Sequence, residues 1–198
     1  MSKSIIKSTI YNMNNDTTEN SEETYNNNPF FRKYSAPYNS RNHAYSKHVE
    51  STIVKILMEH PHINIVNYYE ISDDYITMEQ VSSAKSDPSF FEEGPLSYEE
   101  IIEIQQTMRK VKDFLQSLGI MYIDWKYDNL GKSQDGNYKL FDFDASGLID
   151  LQSNEWILKP HHYWSYNEAV KNGAKTPKEI DDWSFNYNMI EEALKIFQ

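Results

Sequence analysis

The sequence predicts an α+β fold, on three observations. Strand-like segments dominate the first half of the chain and helical periodicities the second. The two do not alternate in the strand–helix–strand order of a parallel sheet. With 198 residues and 39% hydrophobic composition, including 15 Tyr and 9 Phe, the chain can fill one core as one domain.

Each element follows from its local pattern. Residues 1–29 are expected to be poorly ordered or to hold partial first strands. Ile5, Ile6 and Ile10 offer one short strand, and 11–28 is polar and rich in Asn. The aromatic run at 30–34 reads as a strand that Pro37 closes. A helix fits 43–59, with Val49, Ile53, Ile56 and Leu57 on one face. His60-Pro61 ends it, because the residue before Pro is biased away from helix. Strands are expected at 63–71 and 75–81 around an Asp73-Asp74 turn, followed by a connector over 82–95. Ser97 and Glu100 form a capping box. Ile101, Ile104, Met108, Val111, Leu115 and Leu118 then space by three and four, which predicts a long amphipathic helix ending at Gly119. Segments 130–134 and 138–142 flank the hairpin turn Asp135-Gly136. Irregular chain is expected to about residue 174. Thr176, Pro177 and Glu179 then start a last helix reaching about residue 197. No internal repeat is found.

Composition excludes several classes. No apolar run of about 18 residues occurs, so no transmembrane helix is expected. The first residues lack a signal-peptide core, so a cytoplasmic location is expected. Zero Cys rules out a disulfide scaffold, thiol catalysis and Cys-ligated zinc. A net charge of −11 disfavours nucleic acid and anionic membrane as partners. The frequent Asn, Ile, Lys and Tyr point to an AT-rich genome, such as that of a large DNA virus or a protist.

The chemistry concentrates in one stretch. Asp124, Lys126 and Asn129 make a compact polar loop, and Asp142 arrives 13 residues after Asn129 at the end of the hairpin. Phosphoryl transfer needs that set. One carboxylate orients the nucleophile, one cation steadies the γ-phosphate, and an Asn with a second carboxylate holds Mg²⁺. An isolated Asp-x-Lys-x-x-Asn could equally be an ordinary turn, since Asp and Asn favour turns. The spacing nevertheless resembles the protein kinase superfamily, with its His/Tyr-Arg-Asp-x-Lys-x-x-Asn loop and Asp-Phe-Gly motif.

The resemblance implies a bilobal fold. Residues 30–81 would form the N-lobe, a small antiparallel sheet with one helix. Residues 82–198 would form a truncated helical C-lobe. Glu50, ahead of His60-Pro61, matches the helix Glu that pairs with a phosphate-binding strand Lys. Lys33 fits that Lys, because Arg32 points to the other strand face and Lys47 lies on the helix itself. Met78 matches the gatekeeper, and the backbone of Glu79 and Val81 the groups that pair with adenine. Asp124 would orient the acceptor, Lys126 would neutralise charge, and Asn129 and Asp142 would ligate Mg²⁺. Phe143 would pack beneath the helix bearing Glu50. Asp181-Asp182-Trp183-Ser184 resembles the start of the central C-lobe helix, and 163–168 echoes the end of the activation segment.

The sequence also departs from the family. No Gly precedes Gly94, so a Gly-rich phosphate loop is missing. Ile123 replaces the Arg that would bind an activation-loop phosphate. Asp144 replaces the Gly of Asp-Phe-Gly, an expected backbone cost. Gly131 stands where a bulky residue supports the adenine floor. The missing later helices imply apolar surface near the last one, and a dimer through it. Lys33 and Glu50 could each be solvated, His161-His162 reads as surface loop, and Tyr163, Trp164 and Tyr166 read as packing. The leading expectation is an ATP- and Mg²⁺-dependent Ser/Thr protein kinase acting on a protein substrate or with a regulatory partner. The alternatives are a pseudokinase binding or decoy module, and a small-molecule kinase, which Asp144 favours.

Overall fold

The computed structural model describes residues 29–34, 41–82, 96–160 and 164–194. The readings made at 1–28, Pro37, most of the 82–95 connector, His161-His162, Tyr163 and 195–198 lie outside those residues.

Strand β1 (Phe30–Tyr34) pairs antiparallel with β3 (Tyr75–Glu79), which pairs antiparallel with β2 (Tyr68–Ile71). The sheet order is β1-β3-β2. The β2–β3 turn closes on Ser72, whose Oγ accepts from the backbone N–H groups of Asp74 and Tyr75 at 3.2 and 3.0 Å. Helix α1 (Arg41–Glu59) buries Val49, Ile53, Val54 and Leu57.

The expected strand at 63–71 is shorter than its apolar pattern suggests. Its first residues pair elsewhere: Val66 N donates to Leu140 O at 3.1 Å, and Leu140 N to Asn64 O at 2.9 Å. Asn64 Nδ2 adds a bond to Tyr138 O at 2.9 Å. Those groups are spent on the other half of the molecule, so the ladder with β3 begins only at Tyr68. Strand β3 likewise stops at Glu79 rather than residue 81. Ser82 beyond it exchanges two bonds with Lys132, at 3.0 and 2.7 Å.

The second half is built on α2 (Tyr98–Ser117), whose capping box is formed as the sequence predicts. Gly119, at φ +77°, turns the chain out of α2 into β4 (Ile120–Met121). A 3-10 turn (Tyr127–Asn129) leads into the hairpin of β5 (Leu130–Lys132) and β6 (Tyr138–Leu140).

The region expected to be irregular holds β7 (Gly147–Ile149), β8 (Trp156–Leu158) and α3 (Trp164–Lys171). Strands β4, β7 and β8 form one sheet in that order. Strands of two or three residues are too short to show a period of two, so only their partners define them. Helix α4 (Pro177–Phe185) starts at its Thr176 capping box. It runs on through a π-helical stretch (Asn186–Glu191) into α5 (Glu192–Leu194).

One continuous core joins the two halves. Ile53, Leu57, Tyr68 and Met78 share it with Met108, Leu115, Tyr122, Phe143 and Phe185. A smaller cluster packs Met121, Ile123 and Ile149 against Tyr166, Ala169 and Ile180. Tyr166 is thus packing, as expected, whereas Trp164 is 56% exposed beside Trp183 and Tyr187. Among the described residues no helix is long and apolar enough to cross a membrane.

Leu115 is fully buried in the last turn of α2. Leu115→Ala should therefore cost about 2–5 kcal/mol, read as a lower urea midpoint at unchanged slope. Thr176→Ala should cost only about 1 kcal/mol, because it removes a surface cap and no core volume.

Candidate active site

The site is organised around one ammonium. Lys33 Nζ donates to Glu50 Oε1 at 2.6 Å and to Asp142 Oδ1 at 2.7 Å, joining residues 17 and 109 positions apart. Strand alternation turns Lys33 inward and sends Arg32 to the outer face, where its guanidinium lies 4.8 Å from the Tyr75 ring centroid. Glu50 is only 6% exposed, which removes the reading of a solvated charge. Burial alone would lower the Lys33 pKa. The carboxylates of Glu50, Asp142 and Asp144 outweigh it and hold the ammonium well above its ordinary value.

The loop after β4 presents the other groups. Lys126 Nζ donates to Asp124 Oδ2 at 2.6 Å. Asn129 Nδ2 donates to the same oxygen at 2.9 Å and to the Asp124 backbone carbonyl at 3.0 Å. The structure thus brings Asp124, Lys126 and Asn129 into one hydrogen-bonded set.

That set depends on a strained backbone. Ile123 has φ +64°, and Asp124 N bonds back to Tyr122 O at 2.8 Å, a γ-turn in the unfavourable left-handed region. For a β-branched residue the conformation costs on the order of 1–3 kcal/mol. Asp181, fully buried at the start of α4, holds it in place. Its Oδ1 accepts from Ile123 N at 2.9 Å and from Trp125 Nε1 at 2.7 Å, while Oδ2 accepts from Gln116 Nε2 at 2.8 Å. The Ser184 hydroxyl donates to the Ile123 carbonyl from the next turn of α4. Burial pushes the Asp181 carboxyl up, against those three donors.

The segment carrying Asp142 is strained too, but not where expected. Asp142 has φ +68°, whereas Asp144 is not among the positive-φ residues. The cost expected at Asp144 for lacking Gly therefore does not arise. Asp tolerates the left-handed region better than most residues, and the Lys33 ion pair anchors Asp142 there. Phe143 is fully buried in the common core that also holds Val49 and Ile53 of α1, with its ring 5.0 Å from Tyr122 and 6.3 Å from Tyr68.

Carboxylates crowd this centre. Burial raises Asp144 to about 6, with Asp142, Glu50 and Asp124 pushing the same way and Lys33 opposing. No three His, Cys, Asp or Glu side chains converge as a ready metal site among the described residues. Asn129 and Asp142 supply hard oxygens of the type Mg²⁺ prefers, in a region with more carboxylates than ammonium groups. In that respect the donor set fits a divalent cation.

The strand that the resemblance matched to base binding, β3, is the immediate neighbour of the strand that carries Lys33. Met78 is buried, paired with Phe31 on one side and Tyr68 on the other. The Glu79 carboxylate is consumed by Lys139 at 2.7 Å and by Asn67 Nδ2 at 2.9 Å, so its side chain is turned to structural use. Val81 packs over Gly131: a Cβ on that glycine would lie 2.3 Å from Val81 Cγ2.

Sequence reasoning singled out Asp181 and Ser184 only as part of a motif resembling the start of the central C-lobe helix, without their buried hydrogen bonds, and gave no role to Tyr68. The Asp181-Asp182-Trp183-Ser184 motif was the available signal for the first two.

A family model described as protein kinase domain matches residues 20–195. The mitogen-activated protein kinase kinase kinase YODA of Arabidopsis thaliana is 28% identical over 144 residues, 71% of this chain and 16% of its own length. Serine/threonine-protein kinase dst2 of Dictyostelium discoideum is 29% identical over 150 residues, 71% of this chain and 13% of its own. Serine/threonine-protein kinase PAK 1 of Mus musculus is 27% identical over 142 residues, 70% of this chain and 26% of its own. The chain thus spans about a quarter or less of the length of these relatives.

Removing the Asp181 carboxylate orphans the Ile123 amide and the Trp125 indole in a dry interior. Asp181→Ala should destabilise the protein by about 2–4 kcal/mol, measured by urea unfolding. A loss below ~0.5 kcal/mol would show that the strained turn stands without it.

Proposed function

We propose that this chain, which belongs to the protein kinase family, transfers the γ-phosphate of ATP to Ser or Thr hydroxyls of a protein substrate. The observation that carries the reading is the double contact of Lys33 with Glu50 and Asp142. It joins β1, α1 and the segment after β6, and so supports reading Lys33 as the phosphate-binding cation and Asp142 as a metal ligand.

Each residue has a role derived from its position. Lys33, kept charged by its carboxylate neighbours, binds the α- and β-phosphates. The backbone of Glu79 and Val81, with Met78 behind them, receives the adenine edge. Asn129 and Asp142 hold Mg²⁺, which when bound supplies charge neutralisation at the phosphate oxygens. Asp124 accepts the hydrogen bond of the acceptor hydroxyl and orients its oxygen in line with the γ-phosphate. Lys126, paired with Asp124, neutralises charge that develops on the transferred group. The strained γ-turn at Ile123 fixes the direction of Asp124, so little reorientation is left for the reacting state.

The test is transfer of labelled phosphate to a generic protein, together with thermal shifts in ATP with and without Mg²⁺. Asp124→Ala should lower transfer by about 10²–10⁴-fold while leaving the ATP shift in place. Asp142→Ala should remove the Mg²⁺-dependent part of the shift. Transfer unchanged in both variants would overturn the assignment. A shift without transfer in the unaltered protein would instead identify a binding module. Transfer to small hydroxyl compounds in preference to protein would place the acceptor among metabolites.

A further inference from the structure

Among the described residues one buried side-chain polar atom has no hydrogen-bond partner, the Tyr68 hydroxyl. An unpaired hydroxyl in a dry interior costs stability, and a phenylalanine of the same shape would avoid that cost. The reading above gives this hydroxyl no task.

Its place in the fold is specific. Tyr68 opens β2 opposite Met78 and shares the core with Val49 and Ile53 of α1. Its ring meets that of Phe143, the residue after Asp142, at 6.3 Å and 73°, edge to face. Tyr68 thus packs with both the helix that carries Glu50 and the segment that carries Asp142. Burial, with Glu50 the leading charge beside it, pushes the hydroxyl pKa well up; Lys33 opposes this and Asp142 adds to it. The hydroxyl therefore keeps its proton and serves as a donor.

An acceptor stands in the same group. Glu50 is buried, and among the described residues Lys33 is the one side chain that donates to it, at Oε1. The same ammonium also serves Asp142. Nucleotide phosphates arriving at Lys33 compete with both carboxylates for its three protons. As the ammonium turns to phosphate, the Glu50 carboxylate needs a second donor from within, because water hardly reaches it.

We propose that Tyr68 is a positioning residue for Lys33. Its hydroxyl donates to Glu50 once phosphates draw on the ammonium, and so holds the carboxylate that aims Lys33 at them. The inference rests on the nucleotide reading above. A donor idle in the free protein and engaged in the complex favours the bound state by that difference.

The experiment compares Tyr68→Phe with the unaltered full chain, by urea unfolding without nucleotide and by calorimetry with ATP, adenosine and inorganic tripolyphosphate in Mg²⁺. The urea midpoint should stay the same or rise, since the change removes an unpaired hydroxyl. ATP and tripolyphosphate should each weaken by roughly 10- to 150-fold, the worth of a hydrogen bond to a charged group. Adenosine, which has no phosphate to draw on Lys33, should bind as before. A merely structural role would instead lower the midpoint and weaken all three probes. The inference is overturned, with the nucleotide reading intact, if Tyr68→Phe binds ATP as tightly as the unaltered chain, loses adenosine equally, or unfolds at a lower midpoint. An unaltered chain that binds neither ATP nor tripolyphosphate overturns both.

Discussion

The arrangement of this protein depends on one half-buried cation shared by two carboxylates. Lys33 sits on β1, Glu50 on α1 and Asp142 after β6, and the two contacts lie at 2.6 and 2.7 Å. Burial alone would have lowered the Lys33 pKa, and the carboxylates around it hold the ammonium well above its ordinary value. The shared contact holds each element where the other two need it. The same ammonium opposes the rise of Asp144 and anchors the left-handed backbone at Asp142. Loss of Lys33 would leave carboxylates repelling one another beneath α1.

A second constraint supports the first from below. The Asp124 loop is held by a γ-turn at Ile123 that the chain would not adopt alone. Asp181 and Ser184, one turn apart on α4, accept from its amide and donate to its carbonyl. The strain is therefore localised at one residue and balanced by a helix 58 positions later in sequence. Asp142 shows the same pattern, a local backbone cost balanced by a distant ion pair. Strain at two points next to the polar groups, and supporting contacts remote from them, is how a fold fixes side-chain directions in advance of binding.

The two halves are joined through both their backbone and their rings. Asn64 and Val66 give their backbone bonds to Leu140, and Ser82 exchanges two with Lys132. Tyr68, Phe143 and Tyr122 pass their rings from the sheet into the α2 region as part of one core. The Tyr68 hydroxyl lacks a hydrogen-bond partner in this column. Burial and the Glu50 carboxylate beside it keep that hydroxyl protonated. These joints explain why a local reading misplaced the 63–71 strand: its residues serve the neighbouring half before they serve their own sheet.

Much was determined by the sequence alone. The α+β class, α1, α2, the β5–β6 hairpin and the start of α4 follow from periodicity, capping boxes and turn residues, all local signals that act within a few positions. The spacing of Asp124, Lys126 and Asn129 was legible for the same reason, since one short loop carries all three. Tertiary structure alone decided the short strands β4, β7 and β8, helix α3, and the left-handed angles at Ile123 and Asp142. It also decided that Asp181 would be a buried acceptor and that Asp144 would need no glycine geometry. The pairing of β4 with β7 and the support of Ile123 and Asp142 rest on partners tens of residues away, and no window of neighbouring residues contains the atoms that enforce them.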